Sequence, residues 1–170
     1  MIEMNVAGVA LDATTRLPIV LLKDASERRA LPIWIGQTEA RAILTALESQ
    51  KTPRPMTHDL LVNCMDQLEV DLERVVIHSL QDNTFYAVLT LQQGDEKTEI
   101  DARPSDAIAL ALRMDSPIWV LEEVVSEASI AVDQEADLQE QEEFREFLDN
   151  IRPEDLIKSR EGNEPSAESS

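Results

Sequence analysis

The segment IDARPSDAIALALR, residues 100–113, places charged side chains directly before a run of small and aliphatic residues. Apolar residues recur in that run with the spacing of one helix face, at Ile108, Ala111 and Leu112. Pro104 suits the first position of a helix, because its fixed φ is helical and its missing N–H would be unpaired there. We therefore predict a helix that begins at Pro104. The polar residues around its start are Asp101, Arg103, Ser105 and Asp106.

Strand-like segments stand before this helix, and the same order occurs earlier in the chain. LERVVIHSL, FYAVLTLQ and KTEIDA, within residues 72–102, are rich in strand-forming residues and precede the helix. MNVAGVAL, LPIVLLK and RALPIWI, within residues 4–35, likewise precede QTEARAILTALESQ, which has helical spacing. The short turns between the strands favour antiparallel pairing. We therefore predict an α+β fold, and the recurring order indicates a duplicated unit of three strands and a helix.

The segment between the two units predicts another helix. PRPMTHDLLVNCMDQL, residues 53–68, has Thr57 where an N-cap is expected. The apolar stripe of this helix comprises Leu60, Leu61, Cys64 and Leu68. Because Cys64 is the only cysteine, it cannot form a disulfide within the chain or a thiolate metal site, and we expect a buried thiol. Beyond the second unit, SPIWVLEEV predicts a last strand.

The charge of the chain limits its partners. Fifteen lysine and arginine residues stand against 34 aspartate and glutamate residues, which gives a net charge of -19. Such a chain repels phosphate backbones at long range, so nonspecific nucleic-acid binding through a basic stripe is not expected. No stretch approaches the length of an uncharged membrane span, and the N-terminus lacks the pattern of a signal peptide. We expect a cytoplasmic protein that does not bind membranes.

The composition becomes strongly acidic after Val132. We expect one domain over residues 1–130 and an acidic appendage over residues 131–170. Apolar residues recur at helical spacing in the appendage and predict an amphipathic helix at about residues 138–151; they are Leu138, Phe144, Phe147, Leu148 and Ile151. This apolar stripe should dock either on the chain's own core or sister subunit, or on another protein. The C-terminal end has little to bury and is expected to be disordered.

Polar clusters at the starts of the three helices are candidates for a chemical site. They contain Glu39 in the first, Arg54, His58 and Asp59 in the second, and Asp101, Arg103, Ser105 and Asp106 in the third. Capping and the helix dipole explain the hydroxyls and acids. They do not explain Arg54 and Arg103, because the dipole opposes a cation near a helix N-terminus. Each arginine therefore either pairs with a carboxylate, such as Asp59 or Asp101, or faces an external anion such as phosphate.

Three sequence blocks resemble those of a known family. LPIWIGQTEARAI, RPMTHDLL and IDARPSDAIALALR, in this order and spacing, are similar to the signature blocks of the bifunctional nuclease domain family of bacteria and plants. The resemblance covers roughly residues 1–130 and includes TFYAVL and SPIWV. It implies duplicated repeats around one mostly antiparallel, barrel-like sheet, and homo-oligomers that are dimers or larger. It also implies hydrolysis of both DNA and RNA.

The chemistry of phosphodiester hydrolysis suggests roles for the polar clusters. Carboxylates that hold Mg²⁺ or Mn²⁺, with an arginine on the phosphate, can stabilise the transition state and activate a water. The metal-ligand candidates are Glu39, Asp59, Asp101 and Asp106. The phosphate-binding candidates are Arg54, Arg103 and Ser105. His58 is the candidate proton carrier, so the predicted catalytic residues are His58, Asp59, Asp101 and Asp106.

A non-catalytic role fits the same residues. The clusters would then form internal ion pairs that lock the repeats or the oligomer together, and the protein would act as a binding or regulatory module. The acidity of the chain favours this alternative. The two hypotheses differ in whether the side chains open onto one cleft or point into separate contacts.

We predict that limited proteolysis leaves a stable core that ends near residue 130. The composition shift and the loss of strand patterning both fall there. The mass of the resistant fragment measures the boundary. Cleavage within PRPMTHDLL before any loss of the appendage would contradict this domain assignment.

Overall fold

The structure is a computed structural model, and it describes residues 1–26 and 28–131. The predicted appendage helix therefore lies outside the described residues. Within them, eight strands and four helices form an α+β fold. The strands are β1 (Ile2–Leu11), β2 (Pro18–Asp24), β3 (Arg29–Trp34), β4 (Asp71–Gln81), β5 (Thr84–Gln93), β6 (Glu96–Ala102), β7 (Ile118–Val120) and β8 (Ile130–Ala131). The helices are α1 (Gln37–Leu47), α2 (Thr57–Gln67), α3 (Pro104–Met114) and α4 (Glu122–Ala128).

All eight strands belong to one sheet with the order β6-β5-β4-β7-β1-β2-β3-β8. Two antiparallel meanders, β1 to β3 and β4 to β6, flank the short strand β7. β7 pairs antiparallel with β1 and parallel with β4, and the other pairs are antiparallel. The predicted α+β class and mostly antiparallel pairing are therefore confirmed. The described sheet is open, with β6 and β8 as its edges, so the barrel-like closure is not confirmed, and duplication of the two units stays a prediction.

Helix α3 is buried almost throughout. Its buried residues are Pro104, Ser105, Ala107, Ile108, Ala109, Leu110 and Ala111. It packs against strands β4 and β5 and against helices α1 and α2. A helix that is apolar on most sides must be covered on most sides, and the alanines allow its neighbours to approach closely. Pro104 is its first residue, as the sequence predicts, and the polar residues that precede it lie at its N-terminal end.

Helix α2 differs from the prediction in what it buries. Met65 is its buried residue, whereas the predicted buried stripe is exposed: the relative exposure is 57% for Leu60, 46% for Leu61 and 63% for Leu68. Cys64 is also exposed, so the prediction of a buried thiol is wrong. The face toward the core is the one that carries His58 and Met65, because α2 turns its polar first turn toward α3. Met56, not Thr57, occupies the N-cap position.

The segment after α3 is also more complex than one strand. SPIWVLEEV forms the three-residue strand β7 and then enters α4, whose buried residues are Val124 and Val125. The two glutamates in the first turn of α4 interact favourably with the helix dipole and stabilise a helix start, so the chain leaves the strand there. Of the helices among residues 1–26 and 28–131, none is long and apolar enough to cross a membrane.

Candidate active site

Arg103 lies at the centre of a group of charged side chains. It connects the end of β6 to α3 as the N-cap residue, with extended backbone dihedrals and no side chain capping the helix. Its Nε donates to Asp106 Oδ2 at 2.7 Å, and its Nη1 donates to Glu39 Oε1 at 2.9 Å. The hydrogen bond to Asp106, with the nearby charges of both carboxylates, raises the pKa of the guanidinium. The side chain is 65% exposed, so this cation faces solvent while two anions fix its position.

Gly36 explains how Glu39 reaches Arg103. It is the N-cap residue of α1, and the Glu39 carboxylate folds back against it. A Cβ at position 36 would meet that carboxylate, so a larger residue would have to displace the Glu39 side chain. The start of α1 therefore presents a carboxylate to the start of α3.

His58 joins the same group from α2. Its Nε2 lies 3.0 Å from Asp106 Oδ1, so Asp106 bridges the imidazole and the guanidinium of Arg103. Burial alone would raise the pKa of the Asp106 carboxyl, but the hydrogen bonds from Arg103 and His58 and their charges hold it below its ordinary value. Glu39, Arg103, Asp106 and His58 thus form one chain of contacts, called here the Arg103 network, across the starts of three helices.

A second ion pair joins α2 to α3. Arg113 Nε donates to Asp59 Oδ1 at 2.6 Å, and Arg113 Nη1 donates to the carbonyl oxygens of Ala42 and Ala109. The Arg113 side chain is 9% exposed. Asp59 also accepts a hydrogen bond from the backbone N–H of Met56, which caps α2. The hydrogen bond from Arg113, followed by that from Met56, lowers the pKa of Asp59. This pair connects three helices.

Members of the two groups line different cavities, and His58 and Asp106 line neither of them. Glu39, Arg103 and Ser105 line a cavity of about 420 Å³, called here the α3 cavity. Asp59 and Arg113 line another of about 280 Å³. The candidate residues are therefore divided between two places.

Ser105 is the residue of the α3 cavity that lacks a partner. It is 7% exposed, and its hydroxyl makes no hydrogen bond with any residue in the described part of the chain. The hydroxyl is not among the fully buried polar atoms of the described residues that lack a partner, so its oxygen reaches the cavity instead of being enclosed. Its place in the cavity wall therefore indicates a group that a ligand can satisfy.

Asp101 and Arg54 lie apart from these contacts. Asp101 is exposed on the edge strand β6, and its side chain makes no ion pair within residues 1–26 and 28–131. Arg54 is exposed before α2, and no described residue contacts its guanidinium within ion-pair distance. Of the predicted pairs, Arg103 pairs with Asp106 and Glu39 instead of Asp101, and Asp59 pairs with Arg113 instead of Arg54.

The carboxylates do not fit a metal site as they lie in the described residues. No group of three or more His, Cys, Asp or Glu side chains comes together there in a way that could hold an ion. Glu39 and Asp106 both bind Arg103, and Asp59 binds Arg113. These arginines occupy the positions that a cation would take, so no chemical step is assigned to a metal here.

Sequence reasoning missed Arg113 and the aromatic residues in the cavity wall. Arg113 follows the apolar run of α3, where a cation in the last turn suits the helix dipole and attracts no attention. Trp34 and Phe85 also line the α3 cavity, but they end and begin strands, where aromatic residues are common. The one feature that could have identified Arg113 is its position as a cation at the end of a mostly apolar helix.

We predict that Asp59→Asn destabilises the protein by about 1–3 kcal/mol near neutral pH, because it weakens the hydrogen bonds of a buried arginine. The pKa of Asp59 is lowered in the folded state, so its contribution is full above its ordinary value and is lost as the pH falls through the folded value. Urea unfolding near neutral pH and near about pH 3 should therefore show the difference shrink in acid. Asp66→Asn, an exposed acid on the same helix, is the control. An equal effect of both variants would contradict the prediction.

The sequence is similar to those of several known proteins. The profile of the bifunctional nuclease domain matches residues 20–133. An uncharacterized protein of Mycobacterium tuberculosis is 40% identical over 162 residues, which cover 91% of this chain and 97% of that protein. Bifunctional nuclease 1 of Oryza sativa subsp. indica is 28% identical over 112 residues, and Bifunctional nuclease 2 of Oryza sativa subsp. japonica is 27% identical over 124 residues.

The extent of these matches differs. The alignments cover 64% and 70% of this chain but only 34% and 38% of the two rice proteins. The family match, by contrast, contains β3 to β7, all of the Arg103 network and the Asp59–Arg113 pair. The chain belongs to the bifunctional nuclease domain family.

Proposed function

We propose that this protein hydrolyses phosphodiester bonds of DNA and RNA at the Arg103 network. Family membership and the names of the rice relatives, Bifunctional nuclease 1 and 2, support a nuclease. The observation that carries the proposal is the position of Arg103, an exposed cation that borders a cavity and shares Asp106 with His58. The carboxylate of Asp106 thus contacts both the proposed phosphate-binding cation and the proposed proton carrier.

Arg103 and α3 supply the phosphate-binding groups. Nε and Nη1 of Arg103 hold carboxylates, and no described residue accepts a hydrogen bond from Nη2. The first turn of α3 has no side-chain cap, so its N–H groups and the Ser105 hydroxyl can bind phosphate oxygens. Donors fixed before the substrate arrives stabilise the charge that grows on the phosphate oxygens in the transition state.

His58 supplies the proton transfer. Its Nε2 contacts the Asp106 carboxylate, which is an acceptor, so the proton of the neutral ring lies on Nε2 and Nδ1 is the basic nitrogen. Nδ1 removes a proton from the attacking water, whose oxygen bonds to the phosphorus as the bond to the leaving oxygen breaks, and solvent gives a proton to the leaving oxygen. Asp106 orients the ring and stabilises the imidazolium that forms. Arg54, Asp59 and Asp101 keep their proposed roles as further phosphate-binding or catalytic residues, to be decided by substitution.

A binding or regulatory module is the second candidate function. The Asp59–Arg113 pair favours it, because this pair is an internal contact that joins α2, α3 and the backbone of α1. The Arg103 network also links three helices. If these pairs have a structural role alone, the intact protein digests no nucleic acid, and substitutions in the pairs lower its stability.

We predict that His58→Gln and Arg103→Lys each lower the rate of DNA and RNA digestion by about 100-fold or more, with folding retained. Glutamine cannot accept the proton of a water, and lysine lacks the planar fork that binds both a carboxylate and a phosphate. Gel assays on both nucleic acids, with circular dichroism for folding, measure this. Glu99→Gln, an exposed acid on β6, is the control. Undiminished digestion by both variants would place the activity elsewhere.

Divalent-metal dependence stays a prediction made from the number of carboxylates in the sequence. Loss of digestion in a chelator, with recovery on addition of Mg²⁺ or Mn²⁺, would support it, and Asp101→Asn should then be as damaging as His58→Gln. Full activity in the chelator would contradict it.

A homo-oligomer is part of the proposal, and α2 offers a surface for it. Its exposed apolar stripe consists of Met56, Leu60, Leu61, Cys64 and Leu68. The stripe contains no charged side chain, in a chain with a net charge of -19. Two copies of such an acidic protein repel each other least where charge is absent, and covering the stripe removes apolar surface from water. We therefore assign the stripe to contact with a second copy.

We predict that the double variant Leu60→Ser with Leu61→Ser lowers the oligomeric mass, because both side chains lie on the stripe. Both are exposed and are not part of the core, so the fold should be retained. Light scattering after size exclusion gives the mass, and Asp66→Glu, an exposed substitution outside the stripe that keeps the charge, is the control. In an antiparallel pair of α2 helices the two Cys64 residues come near each other, so a short thiol crosslinker should trap a dimer. A monomeric wild-type chain would rule out this assignment.

A further inference from the structure

The α3 cavity contains more than the groups that bind phosphate. Beside Arg103 and Ser105, its wall includes two aromatic residues, Trp34 and Phe85, and also Asn83. Trp34 is about half exposed, at 51%, although it is a large apolar residue. An exposed aromatic residue at the border of a polar cavity is typical of a binding site.

The cavity wall is held in place from several sides. Trp34 ends β3, and its Nε1 donates to Asp12 Oδ2 at 3.2 Å, which fixes the indole against the β1–β2 turn. Phe85 begins β5 after a two-residue turn in which Asp82 and Asn83 both have positive φ. Such turns connect tightly paired strands, so the rim of the cavity is preformed.

We propose that the α3 cavity is a nucleoside subsite, which makes single-stranded nucleic acid the substrate class; this rests on the proposed nuclease function. The phosphate lies on Arg103, Ser105 and the first turn of α3, and the attached base lies against the aromatic residues. Ser105 is 7% exposed, and its hydroxyl reaches the cavity without a hydrogen-bond partner in the described part of the chain, so this group independently indicates a ligand at this helix start.

The size and charge of the cavity favour one nucleotide of a single strand. Its volume of about 420 Å³ lies within the range of small-molecule sites. A base in a duplex is stacked and paired, so it can contact these aromatic residues only after leaving the duplex. Arg103 is the one cation among the residues of the cavity wall, whereas duplex binding draws on many phosphate contacts. Aromatic stacking tolerates any base, which agrees with a site open to both DNA and RNA.

Ligand binding tests the subsite separately from catalysis. In the full chain carrying Trp119→Phe, Trp34 is the remaining tryptophan, so its fluorescence reports the cavity. We expect saturable quenching by adenosine monophosphate, with an affinity about tenfold or more above those of ribose phosphate and inorganic phosphate. Equal affinities for the three compounds, or no binding of the nucleotide, would overturn the proposal.

Substitutions identify the groups that bind. Phe85→Leu should weaken nucleotide binding by about tenfold and leave phosphate binding unchanged, whereas Ser105→Ala should weaken both. Tyr86→Leu removes a neighbouring aromatic residue that does not line the cavity and should change neither. Calorimetry measures these affinities without any need for tryptophan. Equal effects of Phe85→Leu and Tyr86→Leu would count against stacking in the cavity.

Competition between nucleic acids completes the test. A single-stranded oligonucleotide should displace the bound nucleotide at a concentration about tenfold below that of the same sequence in a hairpin duplex. Equal displacement, or stronger displacement by the duplex, would reject single strands as the substrate class. Nucleotide binding without any digestion would leave the subsite standing and refute the nuclease. Digestion without nucleotide binding would support the nuclease and refute the subsite.

Discussion

The burial of α3 on nearly all sides is the constraint on which the other features depend. Seven of its eleven residues are buried, and these residues contact α1, α2 and the strands β4 and β5. A helix packed in this way cannot keep charged groups along its length, so its ionisable residues stand at its two ends. Each end then needs partners from the neighbouring helices. Asp59 meets Arg113 at one end, and Glu39 and His58 meet Arg103 and Asp106 at the other.

The two ends of α3 differ in what their charges can do. At the C-terminal end, the guanidinium of Arg113 is nearly buried, and its Nε and Nη1 bind a carboxylate and two carbonyl oxygens. At the N-terminal end, Arg103 is mostly exposed, and Ser105 beside it has no partner among the described residues. A nearly buried arginine is out of reach of a ligand and holds the fold together, whereas an exposed arginine can also bind a ligand. This contrast is why the proposed chemistry is assigned to the Arg103 network.

Local patterns in the sequence were sufficient to predict α3, its start at Pro104 and the two groups of three strands, because spacing and proline chemistry act within a few residues. They failed for α2, where the same apolar spacing marks an exposed stripe instead of a buried one. Periodicity shows that a helix has an apolar face but does not show which protein surface covers it. The contacts of Arg103 with Glu39 and of Arg113 with Asp59 were also missed, because these partners lie 64 and 54 residues away in the chain. Such pairing depends on how the helices pack, and a single sequence carries no record of it.

The short strand β7 has a consequence for how the chain reaches its native state. Its three residues lie between the two meanders, pairing Val120 with Ile2 on one side and with Ile77 on the other. Each meander can form from neighbouring hairpins as it leaves the ribosome, but the first strand waits for a partner that is synthesised more than a hundred residues later. Contacts of such long range slow folding. Until β7 arrives, the inner edges of β1 and β4 are unpaired, and this interval is when the chain is most exposed to aggregation.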